Sequence, residues 1–492
     1  MKLTFWGAAR QVSGSMFLLE LEDDYRILID CGLDLEKERS KKNGQHLSLV
    51  NGVPQQASAA HAIFPFEASM VNVVLLTHAH IDHSGNIPNL FREGYEGQVL
   101  CTSPTYELSE LLLMDSASLH RRRLNAFSKK KNKKNKKSSL SPSDLAEMYL
   151  EHNVKESLER FVPIAFNKKF KLKKGVEVTF NPAGHLLGAA NVILEITENG
   201  EKKTLAFSGD IGRYDYPLHI DPQPLPQVDY LVCESTYGNR RHDYGRKSAI
   251  IDAEERLSEI IQKTCVDIPG RLIIPAFSVG RTQALLYTLK KLCVKKQLPP
   301  IKVFSDSPLA HKSTETYIKY HRFLNSEAQQ FQEEYDDLFD FENLEYIEDL
   351  KTSKKVANHN EPCIIISSSG MIEGGRIQYH VRTNLSNPYC TILMIGYAAE
   401  GTIGHRLLQG EKTIRIEDKE VAVLANIARI DAFSGHGDLD DLLGFVKHQN
   451  PQALKKVFLV HGENESLEHF KALLETEGYQ VEIPTKGQSF EL

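Results

Sequence analysis

Short apolar runs separated by turn residues occupy the first part of the chain. Residues 2–5, 15–20 and 25–29 each combine apolar and β-branched side chains, which predicts three successive strands. Residues 73–76, VVLL, are apolar without interruption, and such a run predicts a strand that is buried on both faces. The opening pattern therefore predicts a sheet that contains a buried strand at 73–76.

The middle of the chain has a different pattern, in which helical and extended stretches alternate. Helical spacing of apolar residues alternates with short β-branched runs, and this alternation predicts a parallel α/β unit. The predicted elements are, in order, a helix at 250–264, a strand at 271–275, a helix at 282–296, a strand at 301–304, a helix at 314–335 and a strand at 363–367.

Four potential metal ligands follow the strand predicted at 73–76. The sequence THAHIDH supplies His78, His80, Asp82 and His83. Alternation along an extended chain puts His78 and His80 on the same side, so both imidazoles can reach one ion. Asp82 and His83 come after the strand ends, so they can turn toward a second ion. Imidazole and carboxylate ligands suit zinc; the alternative is a polar loop whose histidines hold no metal.

Length, composition and cysteine usage indicate a globular cytoplasmic protein. A chain of 492 residues predicts two or three domains, and 41% hydrophobic with 25% charged residues is typical of globular proteins. No run of about 18 apolar residues occurs, so we expect no membrane-spanning segment. The N-terminus lacks the apolar core and cleavage site of a signal peptide. The seven cysteines never form a CxxC pair, which indicates reduced thiols.

The charge of the chain is unevenly distributed. A net charge of −6 by itself argues against a nucleic-acid-binding protein. However, residues 121–137, RRRLNAFSKKKNKKNKK, contain three Arg and seven Lys without an acidic residue. One interpretation is a solvated loop that lacks a packed structure. The other is a flexible arm that attracts phosphate backbones, and the two interpretations are compatible.

The stretch HAHIDHSG, residues 78–85, resembles the signature of the metallo-β-lactamase superfamily. This resemblance implies an αββα sandwich whose loops hold one or two zinc ions at one edge. Asp30 matches the first motif of this superfamily, so the resemblance implies that Asp30 orients the ligand loop. The stretch AGHLLGAA matches the third motif and supplies His185 as the third imidazole of the first ion. The stretch SGD supplies Asp210, the carboxylate that bridges two ions.

Three further motifs resemble the β-CASP branch, the nucleic-acid-processing division of that superfamily. CESTYG supplies Glu234, FSGHG supplies His436 and LVHGE supplies His461. RNA-processing members carry His at the position of His461 where DNA-repair members typically carry Val, so the resemblance implies RNA. The motifs are most similar to those of bacterial and archaeal relatives of the endonuclease subunit of the cleavage and polyadenylation specificity factor, and RNase J shares the catalytic ones.

Two glycine- and serine-rich turns of the alternating region each follow a strand and open a helix. Their sequences, FSVGRTQ and SSSGMIEGGR, resemble the β-CASP pattern. Small residues let backbone N–H groups approach an anion at a helix N-terminus, and arginine can bind phosphate through two hydrogen bonds. The alternative is a pair of ordinary turns of an α/β fold. The predicted substrate-binding residues are Ser278, Arg281, Ser368, Ser369, Gly370, Met371, Gly374 and Arg376.

The resemblance implies a fold and a division of the chain. We expect an αββα metallo-β-lactamase sandwich formed by residues 1–236 and 429–492, with residues 237–428 as an inserted parallel α/β β-CASP domain. The expected metal ligands are His78, His80 and His185 for one zinc ion, Asp82, His83 and His461 for the other, and Asp210 for both. The expected catalytic residues are Asp82, Asp210, Glu234 and His436.

The expected activity is hydrolysis of single-stranded RNA with two zinc ions, which leaves 5′-phosphate and 3′-hydroxyl ends. His436 is the expected general acid for the leaving 3′-oxygen, and Glu234 fixes its tautomer. A homodimer is compatible with the sequence. The alternatives are a DNA nuclease of the same branch, a non-catalytic RNA-binding scaffold, and a metallohydrolase of a small substrate. The complete ligand set disfavours the scaffold, and the large insert disfavours the small substrate.

Overall fold

The computed structural model describes residues 1–35, 63–131, 142–242, 249–416 and 419–492. The chain forms two units, a sandwich of two sheets with helices on its outer faces and an α/β unit built on a parallel sheet. This is the αββα sandwich with an inserted parallel α/β domain that the sequence predicted.

The first sheet of the sandwich contains both chain termini. The strands that the described residues contribute to it are β1 (Lys2–Phe5), β2 (Phe17–Glu20), β3 (Arg26–Ile29), β4 (Val73–Leu75), β5 (Gln98–Thr102), β6 (Phe161–Ile164) and β22 (Gln488–Glu491). Their spatial order is β22-β1-β2-β3-β4-β5-β6. Strands β3 to β6 run parallel, so the chain leaves β3, β4 and β5 at the same edge of the sheet.

The second sheet of the sandwich, like the first, contains both parallel and antiparallel strand pairs. Its strands in the described part of the chain are β7 (Phe170–Lys173), β8 (Val176–Pro182), β9 (Ala190–Glu198), β10 (Glu201–Phe207), β11 (Tyr230–Glu234), β20 (Lys456–Val460) and β21 (Val481–Glu482). Their spatial order is β21-β20-β11-β10-β9-β8-β7. Strands β10, β11 and β20 are parallel, so their carboxyl ends meet at one edge.

Aromatic side chains join the two sheets of the sandwich. The rings of Phe17 and Phe207 stack with centroids 6.1 Å apart, and those of Phe5 and Phe458 are 5.2 Å apart. All four rings are buried, and burial of one such side chain stabilises the fold by roughly 1.5–3 kcal/mol. Helices cover the outer faces of both sheets. They are α1 (Ile81–Ser84), α2 (Ile87–Arg92), α3 (Ser103–Lys131), α4 (Pro142–Glu147), α5 (Glu151–Leu158), α13 (Leu439–Lys447) and α14 (Asn464–Thr476).

The third sheet forms the core of the insert, and all its pairings are parallel. Its strands, among the described residues, are β12 (Arg271–Pro275), β13 (Lys302–Asp306), β14 (Leu344–Tyr346), β15 (Cys363–Ser367), β16 (Cys390–Met394) and β19 (Asn426–Arg429). Their order is β14-β13-β15-β12-β16-β19, and a separate hairpin pairs β17 (Thr413–Ile416) with β18 (Lys419–Ala422). The boundary predicted between 428 and 429 falls within β19, and the division of the chain stays a prediction.

Helices cover both faces of this sheet, so the middle residues of its central strands β12 and β15 are apolar and buried. One face is packed by α6 (Ala249–Ile261), α7 (Arg281–Val294), α8 (Pro308–Lys319) and α9 (Ser326–Tyr335). The other is packed by α10 (Leu350–Val356), α11 (Gly375–Asn384) and α12 (Ile403–Leu408).

The helix predicted over residues 314–335 is two helices in the structure. Helix α8 ends at Lys319, and α9 begins at Ser326. The Asn325 side chain accepts a hydrogen bond from the Ala328 N–H at 2.8 Å and so caps α9. A polar capping residue inside the periodic stretch therefore starts a new helix.

Part of the basic run is helical, whereas one interpretation predicted a loop; its described side chains, residues 121–128, are exposed or half-buried. Helix α3 continues to Lys131, so residues 121–131 are helical. Lysine and arginine are good helix formers, and extension of an existing helix is much easier than nucleation. The exposed guanidinium of Arg121 lies 3.1 Å from Glu151 Oε1. Residues 132–137 of the run lie outside the described residues.

Candidate metal centre

The predicted ligand loop follows β4 and is held against the ends of β2 and β3. The Ser15 N–H donates to the Asp82 carbonyl at 2.8 Å, and the Cys31 N–H donates to the His83 carbonyl at 2.7 Å. Gly32 makes this close approach possible, because a Cβ at Gly32 would lie 1.7 Å from the Asp82 carbonyl oxygen. These contacts fix helix α1, which carries two of the predicted ligands.

Four predicted ligands converge to form the first cluster. His80 Nδ1 lies 3.1 Å from His78 Nε2 and 3.2 Å from His185 Nε2. Asp210 Oδ2 lies 3.4 Å from His78 Nε2 and 3.5 Å from His185 Nε2. The Gly435 carbonyl lies 3.1 Å from His185 Nδ1, which places the ring proton on Nδ1 and leaves Nε2 as a ligand. The ligand atoms of these four residues lie within 4.8 Å of one another.

The remaining predicted ligands form a second cluster beside the first. His83 Nε2 lies 3.2 Å from Asp210 Oδ1, and His461 Nε2 lies 3.5 Å from Asp82 Oδ2. Asp210 therefore presents one carboxylate oxygen to each cluster. His461 adopts a left-handed backbone conformation with φ of 49°, and Thr236 Oγ1 lies 3.0 Å from its Nδ1. Such a conformation in a non-glycine residue is often found at functional sites.

Burial sets the protonation of the first cluster. It lowers the pKa values of His78, His80 and His185, that of His80 to about 3. Neighbouring histidines add to this shift, and Asp210 opposes it. These rings are therefore neutral, which is the form that binds a metal ion.

Carboxylates dominate the second cluster. Burial opposes protonation of His83, but the charges of Asp210 and Asp30 outweigh burial and raise its pKa well above the ordinary value. Burial likewise opposes protonation of His461, and Asp210 with Asp82 raises its pKa to about 9. The cluster thus attracts positive charge.

The donor set fits a metal ion. Among the described residues, no hydrogen bond reaches Asp210 Oδ1 or His461 Nε2, although both atoms are buried. Each atom lies near an oppositely charged group, His83 or Asp82, without a hydrogen bond, and a bound cation would give both atoms a direct partner. Imidazole nitrogens with one shared carboxylate are ligands typical of zinc. Both clusters therefore have the composition of a metal centre.

Asp30 and Thr77 make hydrogen bonds that fix the orientation of the predicted ligands. Asp30 Oδ1 accepts the Thr77 N–H at 2.8 Å, and Asp30 Oδ2 accepts the Thr77 hydroxyl at 2.9 Å. Asp30 Oδ2 also lies 2.7 Å from His83 Nδ1. A carboxylate on Nδ1 keeps the proton there and leaves Nε2 as the ligand atom. The contact with His83 agrees with the orienting role predicted for Asp30, whereas Thr77, the first residue of the THAHIDH stretch, was given no role from the sequence.

Glu234 and His436 lie beside the first cluster. His436 Nδ1 is 3.2 Å from Glu234 Oε1, and the His436 ring centroid is 4.4 Å from that of His185. Glu234 is fully buried at the end of β11, and it accepts the N–H groups of Ile211 at 2.7 Å and Thr236 at 3.1 Å. Glu234 is therefore fixed in place, and its Oε1 atom contacts the His436 ring.

Known families and proteins match the whole chain. The matching families are described as Metallo-beta-lactamase superfamily at residues 9–239, Beta-Casp domain at 282–407 and Zn-dependent metallo-hydrolase RNA specificity domain at 420–484. Ribonuclease TTHA0252 of Thermus thermophilus is 32% identical over 488 residues, which cover 99% of each chain. The chain belongs to the β-CASP branch of the metallo-β-lactamase superfamily.

Other relatives agree with this membership. Transcription termination factor FttA of Methanosarcina mazei is 28% identical over 94% of this chain and 67% of FttA. An RNase J-like protein of Methanocaldococcus jannaschii is 27% identical over 99% of this chain and 98% of the relative. A crystal structure of a protein of unknown function from Enterococcus faecalis V583 shares the fold with a TM-score of 0.52 and 13% identity, and the match covers 100% of this chain and 99% of that one.

Three serines lie together at the carboxyl edge of the β-CASP sheet. Ser278 follows β12, Ser307 follows β13 and Ser368 follows β15. Ser307 Oγ lies 3.2 Å from Ser278 Oγ and accepts the Ser368 hydroxyl at 3.0 Å. Helices α7, α8 and α11 begin at this edge. The sequence predicted two of these serines but missed Ser307, whose signal was a serine between a strand and Pro308 at a helix start.

The other residues of the SSSGMIEGGR turn shape the turn itself. Ser369 Oγ accepts a backbone N–H four residues later, and the Met371 carbonyl accepts an N–H from the start of α12. A Cβ at Gly370 would lie 3.0 Å from the Phe277 ring, so this glycine lets the two turns pack together. Gly374 precedes α11 with φ of 87°, which favours glycine. Their contact with substrate stays a prediction.

The two predicted arginines differ in their surroundings. Arg281 is 9% exposed, and its guanidinium carbon lies 4.6 Å from the centre of the Phe277 ring. In the described part of the chain, neither a hydrogen bond nor an ion pair engages the Arg281 guanidinium. Arg376 instead donates to Asp306 Oδ1 at 2.6 Å and to the Ile347 carbonyl at 2.9 Å. These bonds make Arg376 part of the domain scaffold, so they do not support its predicted contact with phosphate.

In the parts of the chain that the structure describes, no helix combines the length and apolar character needed to cross a membrane.

Proposed function

We propose that this chain is a zinc-dependent ribonuclease that hydrolyses RNA phosphodiester bonds and leaves 5′-phosphate and 3′-hydroxyl ends. The observation that carries the proposal is the convergence of seven ligand residues into two clusters that share Asp210. Relatives named as a ribonuclease and as an RNase J-like protein support RNA as the substrate. The proposal takes single-stranded RNA as the substrate form and the cytoplasm as the location, and a homodimer stays a prediction.

The ligand sets follow the two clusters. His78, His80, His185 and Asp210 would hold one ion, and Asp82, His83 and His461 together with Asp210 would hold a second. Zinc bound at these positions would activate water as a nucleophile and neutralise charge on the phosphate.

His436 and Glu234 act on the leaving group in this proposal. His436 donates a proton to the leaving 3′-oxygen, and Glu234, which faces its Nδ1, fixes the orientation and tautomer of the ring. Glu234 cannot rotate away, because the Ile211 and Thr236 N–H groups fix both of its oxygens. Asp210, Glu234 and His436 also have ligand atoms within 4.8 Å of one another, so His436 as a metal ligand is the competing assignment.

The β-CASP turns bind the RNA backbone in this proposal. Arg281 is buried with its guanidinium over the Phe277 ring, and no hydrogen bond or ion pair within the described chain engages it, so it can bind a phosphate. Ser278 and Ser368 supply hydroxyls at an edge where three helices begin. Partial positive charge at helix N-termini favours anions at this edge.

The test uses end-labelled single-stranded RNA and DNA of the same sequence. Zinc-loaded protein should cleave the RNA, lose activity with a chelator and regain it with zinc. The RNA products should carry a 5′-phosphate that a phosphate-dependent exonuclease accepts and a 3′-hydroxyl that a ligase accepts. Equal cleavage of DNA would indicate a DNA nuclease, and binding without cleavage would indicate a scaffold; either outcome contradicts the proposal.

A further inference from the structure

A buried tyrosine of the insert reaches the loop that carries His185. Tyr317 belongs to α8 and is fully buried. Its hydroxyl accepts the Leu187 N–H at 3.4 Å and lies 2.9 Å from His219 Nε2. Leu187 and His219 both precede the insert in the chain, so one hydroxyl of the insert connects two segments of the sandwich.

The His185 loop is held between the two units. On the sandwich side, the hydroxyls of Thr102 and Thr105 donate to the Gly188 carbonyl at 2.7 and 3.0 Å. On the insert side, the Leu187 N–H donates to the Tyr317 hydroxyl. Among the described residues, this is the hydrogen bond between the loop and a side chain of the insert. The position of the His185 ring therefore depends on contacts from both units.

His219 extends this contact to the backbone next to His185. His219 is 3% exposed, and its ring stacks on Tyr216 with centroids 5.0 Å apart. The segment after it packs directly on the ligand loop, because a Cβ at Gly184 would lie 2.7 Å from the Ile220 carbonyl oxygen. Tyr317 thus contacts the ligand loop directly at Leu187. It also contacts the loop indirectly, through His219 and the neighbouring Ile220, which packs on Gly184.

Tyr317 also lies beside the FSVGRTQ turn, one of the two turns that we propose bind the RNA backbone. A Cβ at Gly280 would lie 2.9 Å from Leu186 Cδ1 and 3.9 Å from the Tyr317 hydroxyl. The turn that carries Ser278 and Arg281 therefore packs on the ligand loop at the position of Tyr317.

We propose that Tyr317 is a positioning residue through which the inserted domain holds His185 in its ligand geometry and thereby sets the metal affinity of the first cluster. Its consequence for RNA cleavage rests on the proposed function, whereas its consequence for metal binding does not. The hydroxyl acts through the loop backbone and does not touch the metal or the substrate.

Tyr317→Phe tests this proposal, because it removes the hydroxyl and keeps the buried ring. Tyr320→Phe is the matched control, because the Tyr320 hydroxyl also crosses between the units, to Glu107 Oε1 at 2.7 Å, but does not contact the ligand loop. Both variants are titrated with zinc against a chromophoric chelator and with cobalt(II), whose visible spectrum reports ligand geometry.

We expect Tyr317→Phe to lower the affinity for one of the two metal ions by up to about tenfold. This is the lower end of the loss of metal affinity that follows when a group that orients a ligand is removed. The cobalt spectrum should change with it, while Tyr320→Phe keeps the affinity and the spectrum of the parent. RNA cleavage by Tyr317→Phe should fall at limiting zinc and recover at saturating zinc, with KM for RNA unchanged.

Equal metal affinities and spectra for both variants would overturn the proposal, whatever their melting temperatures. If Tyr317→Phe does not fold, His219→Gln serves instead, since it removes the ring that fixes the same hydroxyl, and an unchanged metal affinity in that variant overturns the proposal as well. A weaker metal affinity in a protein that never cleaves RNA would support this inference and contradict the proposed function.

Discussion

Asp30→Asn tests how the protein selects the ligand atom of His83. The carboxylate accepts two hydrogen bonds from Thr77 and lies 2.7 Å from His83 Nδ1. Asparagine has nearly the same shape, and it tolerates the left-handed backbone of Asp30, whose φ is 56°. The substitution therefore changes the hydrogen bonding and leaves the backbone in place.

The expected size of the effect follows from the partners of Asp30. In the variant, the carbonyl of the asparagine side chain can still accept the Thr77 N–H, and the Thr77 hydroxyl can turn toward His78 Nδ1, which lies 3.1 Å away. The amide group of that asparagine then faces His83 Nδ1, so His83 must either leave a buried donor unpaired or move its proton to Nε2. An unpaired buried donor costs about 1–3 kcal/mol. This range corresponds to the roughly 10–100-fold loss of metal affinity that is typical of such supporting residues.

The assay is competition for zinc with a chromophoric chelator, with metal content measured after dialysis. Asp229→Asn is the control, because Asp229 accepts the Thr204 N–H at 2.8 Å and the Thr204 hydroxyl at 2.9 Å in the same pattern. Its third partner is Lys455, which is not a predicted ligand. Zinc affinity of Asp30→Asn within twofold of that of Asp229→Asn would refute the tautomer argument.

Other consequences of the site can be tested in the same preparation. The zinc-loaded protein should contain about two ions per chain, and Asp210→Asn should lose metal and nearly all turnover, as measured by elemental analysis and RNA cleavage; full metal content would contradict its bridging role. His436→Ala should keep both ions and slow cleavage about 10²–10⁴-fold in single-turnover assays, and loss of an ion would make His436 a ligand. Replacing the seven lysines of 129–137 with glutamine should weaken binding of long RNA and flatten its salt dependence by about 0.7 per lost phosphate contact; equal salt slopes would exclude a role in RNA capture.

The sequence was most informative where one short stretch carries the chemistry. His78, His80, Asp82 and His83 occupy six positions after a buried strand, so the strand and the turn determine most of their geometry. Asp210 likewise lies in a short motif, SGD, which directly follows strand β10 in the structure. The structure brings these residues together, although their roles as ligands stay predictions.

Residues whose role depends on distant contacts were not predictable. Tyr317 is one of 18 tyrosines and belongs to no motif, so only the packing of α8 on the sandwich reveals its contact with Leu187. Arg376 belongs to a motif, but the sequence could not show that Asp306 at the end of β13 takes its guanidinium. A local pattern therefore identifies which chemistry is present, and the tertiary fold decides which side chains remain available.

The metal centre also connects the two sheets of the sandwich. The loop after β4 belongs to the first sheet, whereas Asp210 and His461 follow β10 and β20 of the second. A ligand that binds only the folded state stabilises it by about 4.1 kcal/mol at a concentration about 1,000 times its Kd. Chelation should therefore lower the melting temperature and speed hydrogen exchange at the ends of β4, β10 and β20. Strands β17 and β18 of the insert should keep their exchange rates, because Ile414 and Ile416 pack in a core that contains none of the predicted ligands. Uniformly faster exchange in both units would show that the metal centre stabilises the whole chain and not the joint between the two sheets.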